Sequence, residues 1–228
     1  GAGSVVNGFE SISGQINTEL LKPMTDIPFF LNFYGSTDAR FELNANINHK
    51  ISDKWATSLF MHGNMRDSKN DMNDDGFLDN PLQKQINIFN RYQYANAETG
   101  WVSFINFQYL NDEKLMGQVD FDPDTDRGTT NAWGSEIDTE RVNISTKLGY
   151  VFPDMPYQSI GFQNAFSSYD QKSYFGLNQY DIKQDSFYSN LIFNSIIDNT
   201  MNKFATGLNF TYDKYSEFVN INDYSRID

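Results

Sequence analysis

Apolar and polar side chains alternate strictly through Arg40–Lys50, with Phe41, Leu43, Ala45 and Ile47 set against Glu42, Asn44, Asn46 and Asn48. Successive side chains of a strand point to opposite faces, so this period of two describes a strand with one oily face and one wet face. The pattern returns at Val142, Ile144, Thr146, Leu148 and Tyr150, opposed by Arg141, Asn143, Ser145, Lys147 and Gly149. It returns again at Phe204, Thr206, Leu208, Phe210 and Tyr212, opposed by Ala205, Gly207, Asn209 and Thr211. Read along the whole chain, it predicts nine strands, at 28–35, 40–50, 54–65, 86–96, 100–113, 137–151, 157–172, 185–198 and 203–215.

The connections between these strands are unequal. Ile51-Ser52-Asp53, Asn96-Ala97-Glu98-Thr99, Phe152-Pro153-Asp154-Met155-Pro156 and Asn199-Thr200-Met201-Asn202 are short. Alternating with them are three long stretches, 66–85, 114–136 and 173–184, and one short one, Gly35–Ala39. In an up-and-down meander, alternate connections emerge at the same end. Short turns at one end and long loops at the other are the arrangement of a transmembrane β-barrel, with lipid outside and a polar lumen. Many of the strands run to eleven residues or more, whereas soluble strands usually hold about 5–6 and tilted membrane strands about 9–11. Trp55, Trp101, Tyr150, Phe152 and Tyr157 flank the short turns, where an interfacial aromatic girdle is expected. The competing expectation is a secreted, calcium-binding β-sandwich or adhesion domain, whose strands alternate in the same way.

Composition narrows the function classes. With 17 basic and 30 acidic side chains and a formal charge of −13, the chain lacks the basic footprint of a nucleic-acid partner. No run of eighteen apolar residues is present, which excludes a membrane helix but not a barrel. Phe, Tyr and Trp make up 16% of the chain, which suits strands and interfacial girdles. The start at Gly1-Ala2-Gly3 and the stop at Arg226-Ile227-Asp228 read as those of a fragment.

The first residues differ from the rest, because Gly1, Gly3, Gly8 and Gly14 punctuate short apolar pieces before Pro23 and Pro28 bracket a linker. The run Gly3-Ser4-Val5-Val6-Asn7-Gly8-Phe9-Glu10-Ser11-Ile12-Ser13-Gly14-Gln15-Ile16-Asn17 resembles the end of the plug domain of TonB-dependent outer-membrane receptors. Leu31–Gly35, Asp71–Pro81, Gly128–Ala132 and Tyr174–Asn178 are similar to the Bacteroidetes branch of that family. The resemblance implies two parts: residues 1–22 as the C-terminal end of a plug, and 23–228 as the N-terminal part of an antiparallel barrel. It further implies residence in the outer membrane of a Gram-negative bacterium, contact with its lipid, and a TonB complex acting through a region outside these residues. The cargo would be a small ligand: a metal chelate, cobalamin, haem, a metal ion or an oligosaccharide.

Among local motifs, Asp71-Met72-Asn73-Asp74-Asp75-Gly76-Phe77-Leu78-Asp79 is the sharpest. Asp71, Asn73 and Asp75 take positions one, three and five of an EF-hand-like loop, Gly76 the sharp turn, the Phe77 carbonyl the backbone ligand, and Asp79 position nine. These oxygens suit calcium in a structural role. Leu82 stands where the bidentate Glu of that loop belongs, and Asp67 or Asp74 would have to substitute. Asp120, Asp122, Asp124 and Asp126 form a second acidic run whose like charges require solvent, screening or a cation. Pro123 and the lack of a central glycine favour solvent there. His62 shares a strand face with Ser58 and Asn64, opposite Trp55, Leu59 and Met61, and with Met65 and Met72 nearby is a candidate ligand to a soft metal or haem. No nucleophile–base order, carboxylate pair or phosphate-cradling loop emerges, so the chain reads as no enzyme.

Overall fold

The computed structural model describes residues 19–222. The plug-like run 3–17 therefore lies outside the described residues, and only 19–22 of the expected plug segment fall within them. Nine strands follow: β1 (Phe29–Gly35), β2 (Arg40–Lys50), β3 (Trp55–Arg66), β4 (Leu82–Asn96), β5 (Trp101–Gly117), β6 (Gly134–Val151), β7 (Ser159–Phe175), β8 (Asn178–Ile197) and β9 (Asn199–Asn220). All are antiparallel, and they make one sheet in the order of the chain. Among the described residues there is no second sheet, as a sandwich would require. The sheet is open, with β1 paired only to β2 and β9 only to β8.

Register carries the alternation from strand to strand. Leu43 pairs with Phe33 and Gly63, Met61 with Ile88, Phe107 with Ile144, Ile144 with Phe166, and Phe166 with Phe187. Directly paired residues share a face, so these side chains join into one continuous apolar surface. The opposite face collects Asn44 with His62, Arg91 with Asn106, Gln108 with Asn143, and Asn190 with Asn209.

The existence and order of the nine strands match the sequence pattern, but several strands are longer. β5 runs to Gly117 rather than 113, β6 starts at Gly134 rather than 137, and β9 spans Asn199–Asn220 rather than 203–215. The largest difference concerns 173–184, expected as a long loop. Here β7 and β8 stay paired up to Phe175 and Asn178, and only Gly176 and Leu177 turn the chain. Gly176 adopts φ +61°, and a Cβ there would lie 2.7 Å from Trp133 Nε1. Above the apolar band both faces of a strand can be polar, so the backbone ladder continues where alternation has ceased. Loops 67–81 and 118–133 remain long, and the second contains α1 (Pro123–Asp126).

Candidate functional site

Among the described residues, burial over much of the sheet does not follow polarity. Buried polar residues include Asn46, Asn48, Ser58, Gln93, Asp112 and Asn190, whereas Phe107, Ile144, Leu148, Phe162, Phe166 and Leu191 are exposed. On β4 and β5 every exposed residue lies on the apolar face. The polar face is the less exposed one, as the hollow side of a curved sheet would be.

Two borders limit this apolar face. At the short-turn end, Trp55 packs on Tyr94 with ring centroids 4.9 Å apart, and Trp101 packs on Tyr150 at 5.0 Å. Tyr150 in turn meets Phe152 edge-on at 4.9 Å. At the other end charge appears abruptly: Tyr109 and Val142 are followed on the same face by Asn111 paired with Glu140, then Glu113 paired with Asp138. Along β6 the apolar stretch runs from Val142 to Tyr150, close to the span of about 9–11 residues that a tilted strand needs to cross a bilayer.

The polar face is a hydrogen-bonded lattice. His62 sits within it: its Nδ1 lies 2.7 Å from Asn44 Oδ1, and its Nε2 lies 3.3 Å from Asn64 Nδ2. With Nδ1–H donating to Asn44 and Nε2 accepting from Asn64, both ring nitrogens have partners. Asn64 also donates to Gln85 Oε1 at 2.9 Å, which fixes the row across three strands. His62 thus has the sequence-expected face, with both ring nitrogens engaged by its neighbours; Met65 lies on the opposite face.

Arg91 is the side chain on this face that sequence reading missed. Its Nε donates to Asn106 Oδ1 at 2.9 Å, and its guanidinium stacks over the Phe104 ring at 4.8 Å. Its Nη1 reaches the carbonyl oxygens of Leu20 and Leu21 at 3.4 and 3.3 Å. The segment that leads into β1 therefore crosses the polar face of the sheet. Arg91 lies about seventy positions from Leu20 and Leu21, so no local signal could have revealed this contact.

At the end beyond the charged border, loops 67–81 and 118–133 pack on one another. Leu78 N donates to Gly117 O at 2.9 Å, and Val119 N to Gly76 O at 3.0 Å. Phe77 bridges to Gln118, and its ring lies 6.2 Å from that of Trp133. Beneath them Phe121, Ala132 and Tyr174, with Leu115 against them, form an apolar core. Arg127 covers the Tyr174 ring at 4.5 Å and approaches Glu136 at 3.9 Å. Burial pushes the Tyr174 phenol well above its ordinary range, the Glu136 carboxylate acts in the same direction, and Arg127 opposes them. Among the described residues, the phenol oxygen has no hydrogen-bond partner within 3.5 Å.

Within this cap the structure draws the first acidic motif together. Asp71 accepts from Asp75 N at 3.2 Å and from Gly76 N at 2.8 Å. Asp75 accepts from Phe77 N at 2.9 Å, and Asp79 accepts from Met72 N at 2.8 Å. Gly76 takes φ +84°, the left-handed conformation the sharp turn demands. Leu82, at the twelfth position, already belongs to β4.

The second run behaves differently. Asp122 caps α1 by accepting from Asp124 N at 3.0 Å, and Asp126 accepts from Asp122 N at 3.0 Å. Among the described residues Asp120 and Asp124 accept no comparable bonds, and the two bonds that form are those of a capped turn. Among the described residues, no group of three or more His, Cys, Asp or Glu side chains is placed to hold a metal ion. Compared with known proteins, the chain matches no protein-family model, no curated protein and no solved structure.

Proposed function

We propose that the nine strands are part of the wall of a β-barrel in the outer membrane of a Gram-negative bacterium. The barrel would belong to a TonB-dependent receptor that takes up a scarce small ligand, with no chemistry performed on it. The observation that carries the membrane reading is the exposed apolar band, bordered by an aromatic row at one end and charge at the other. Leaving a Phe, Leu or Ile side chain fully in water forfeits about 1.5–3 kcal/mol. Even half of that, over the six exposed side chains named above, approaches the roughly 5–15 kcal/mol stability of a whole domain. Lipid against the band removes the penalty, and the polar face then lines a lumen.

The uptake reading has separate support. It rests on the resemblance of residues 3–17 to a plug terminus, and on Arg91 holding the incoming segment against the polar face. The cap of long loops would face outward and meet the ligand, whether metal chelate, cobalamin, haem, metal ion or oligosaccharide. Calcium belongs to the same reading as a structural ion. The oxygens of Asp71, Asn73, Asp75 and Asp79 and the Phe77 carbonyl would hold it, and it would stiffen the loop whose Gly76 carbonyl anchors Val119.

The chain has no native cysteine, so single replacements report cleanly. We expect a fluorophore on Ile144→Cys, in outer-membrane vesicles, to be quenched by brominated lipid. The same fluorophore on Ser145→Cys should be quenched by a water-soluble agent instead. Equal quenching of both positions by either agent would refute the membrane wall.

A further inference from the structure

Two segments far apart in the chain meet at the rim of the cap and leave a hollow between them. The end of loop 118–133 supplies Trp133, and the β7–β8 turn supplies Gly176 and Leu177; together they line a cavity of about 410 Å3. That volume falls within the roughly 300–1,000 Å3 of small-molecule pockets. Trp133 is held at both main-chain atoms: its N–H donates to Gln118 Oε1 at 2.5 Å, and its carbonyl accepts from Gln118 N at 2.9 Å. Because Gly176 has no Cβ, the indole can lie against the turn, and the Phe77 ring flanks it at 6.2 Å. Trp133 nevertheless stays 45% exposed, and its indole N–H has no hydrogen-bond partner among the described residues.

The lining of the hollow is uncharged, although 21% of the chain is charged. Phe175 and Leu177 continue the apolar wall, and the polar groups are the hydroxyls of Thr129 and Thr130 and the amide of Asn178. Thr130 makes no hydrogen bond among the described residues. Asn178 Oδ1 accepts from Asn222 N at 3.0 Å, which leaves Nδ2 to donate. Phe175 pairs with Ser135 and with Asn178, so both stand in the register of the polar face. Down that face the chemistry is similar. Gln108 donates to Asn87 Oδ1 at 3.1 Å and accepts from Asn143 at 2.7 Å, while Arg66 and Lys114 are answered by Asp38 and Asp112.

We propose that the hollow is an entry subsite for an uncharged oligosaccharide, one pyranose ring lying flat on the Trp133 indole. This rests on the uptake reading above and deepens it by naming the cargo. A pyranose is amphipathic, with C–H bonds on its faces and hydroxyls around its edge. The C–H face meets the negatively polarised face of the indole. Each hydroxyl both donates and accepts, and so matches Thr130, the Asn178 amide and the indole N–H. A ferric chelate or the carboxylates of haem bring charge that this lining has no Lys, Arg or His to answer, and burying an unanswered charge is costly. Below the rim, amides of the polar face offer the same paired donors and acceptors to a hydroxylated chain.

The test uses the full-length protein in micelles of octyl tetraethylene glycol ether, a detergent without sugar, and isothermal titration calorimetry. Maltohexaose, cellohexaose, mannohexaose and xylohexaose are the neutral probes, and hexagalacturonate is the charged one. At least one neutral hexaose should bind, and more tightly than hexagalacturonate. Trp133→Ala should weaken that binding roughly tenfold or more, as loss of an aromatic anchor does, with Trp133→Phe between the two. Failure of every neutral hexaose to bind would overturn the proposal. So would equal affinity in W133A and the wild type, or an equal loss in Trp101→Phe at the opposite end of the sheet. If W133A fails to fold, Thr130→Ala decides: it should weaken the hexaose about threefold, the loss of one neutral hydrogen bond, and unchanged affinity would overturn the proposal. Binding of ferric citrate or cyanocobalamin in place of the hexaoses would overturn the cargo named here and leave the uptake reading standing. Recovery of the protein outside the outer-membrane fraction would instead refute that reading.

Discussion

Asp71 and Tyr174 show how single residues in the cap can be interrogated. The Asp71 carboxylate already organises two backbone N–H groups of its loop, and calcium would add the coordination that holds the loop closed. Chymotryptic cleavage within 67–81 should therefore slow about tenfold at calcium near ten times its dissociation constant, because only the open loop is cut. Asp71→Ala should abolish the protection, and equal cleavage with calcium and with chelator would remove calcium from the account. Tyr174 gives a pH signature. Its phenol is raised in the folded cap, so the neutral form is favoured there and its contribution is complete below the unfolded value of about 10. That contribution is lost as pH rises through the folded value. Protease resistance of loop 118–133 should fall on the alkaline side in the wild type, and less so in Tyr174→Phe. An identical alkaline profile for the two proteins would mean that Tyr174 does not report on the cap. Asp71 was legible in the sequence because its motif is local. Tyr174, Phe121 and Arg127 were not, since their cluster exists only once loop 118–133 folds back on β7.

At the scale of the element, alternation proved a faithful guide to where strands exist and a poor guide to where they end. β6 alternates from Arg141 to Tyr150, but its ladder with β5 continues to Gly134 and Gly117. The period of two in hydrophobicity arises only where the two faces meet different media. Beyond the band both faces are polar, and the segment 173–184 looked like a loop although most of it is hairpin. The same reasoning predicts what substitutions do. An arginine in place of Ile144, mid-band on the apolar face, should destabilise the full-length protein in lipid by about 2–4 kcal/mol, whereas Ser145→Arg on the other face should cost under about 1 kcal/mol. Urea titration of the protein folded in lipid vesicles measures both. Similar losses at the two positions would argue that neither face meets lipid.

At the scale of the whole molecule, the described residues form one unclosed sheet. Its two outer strands each present a row of unpaired backbone groups, and β9 is exposed along its entire length. If the sheet is part of a barrel wall, residues 1–228 produced alone should accordingly aggregate or enter large mixed micelles in size-exclusion chromatography, whereas a chain that closes the barrel should run as a discrete species. A monodisperse, detergent-free monomer of these residues would contradict the barrel-wall reading. By itself the sequence determined that the chain is β, that nine strands follow one another, and which face of each is apolar. Backbone sterics and the two-residue repeat of a strand are local properties, and residues such as Phe41–Ile47 write them out directly. Tertiary structure alone decided that the apolar face is the exposed one, that His62 is held by Asn44 and Asn64, and that Arg91 grips the chain at Leu20 and Leu21. It also decided that two distant loops share one core. These are outcomes of register and of contacts between residues far apart in the chain, and no short-range pattern encodes which strand a side chain will face.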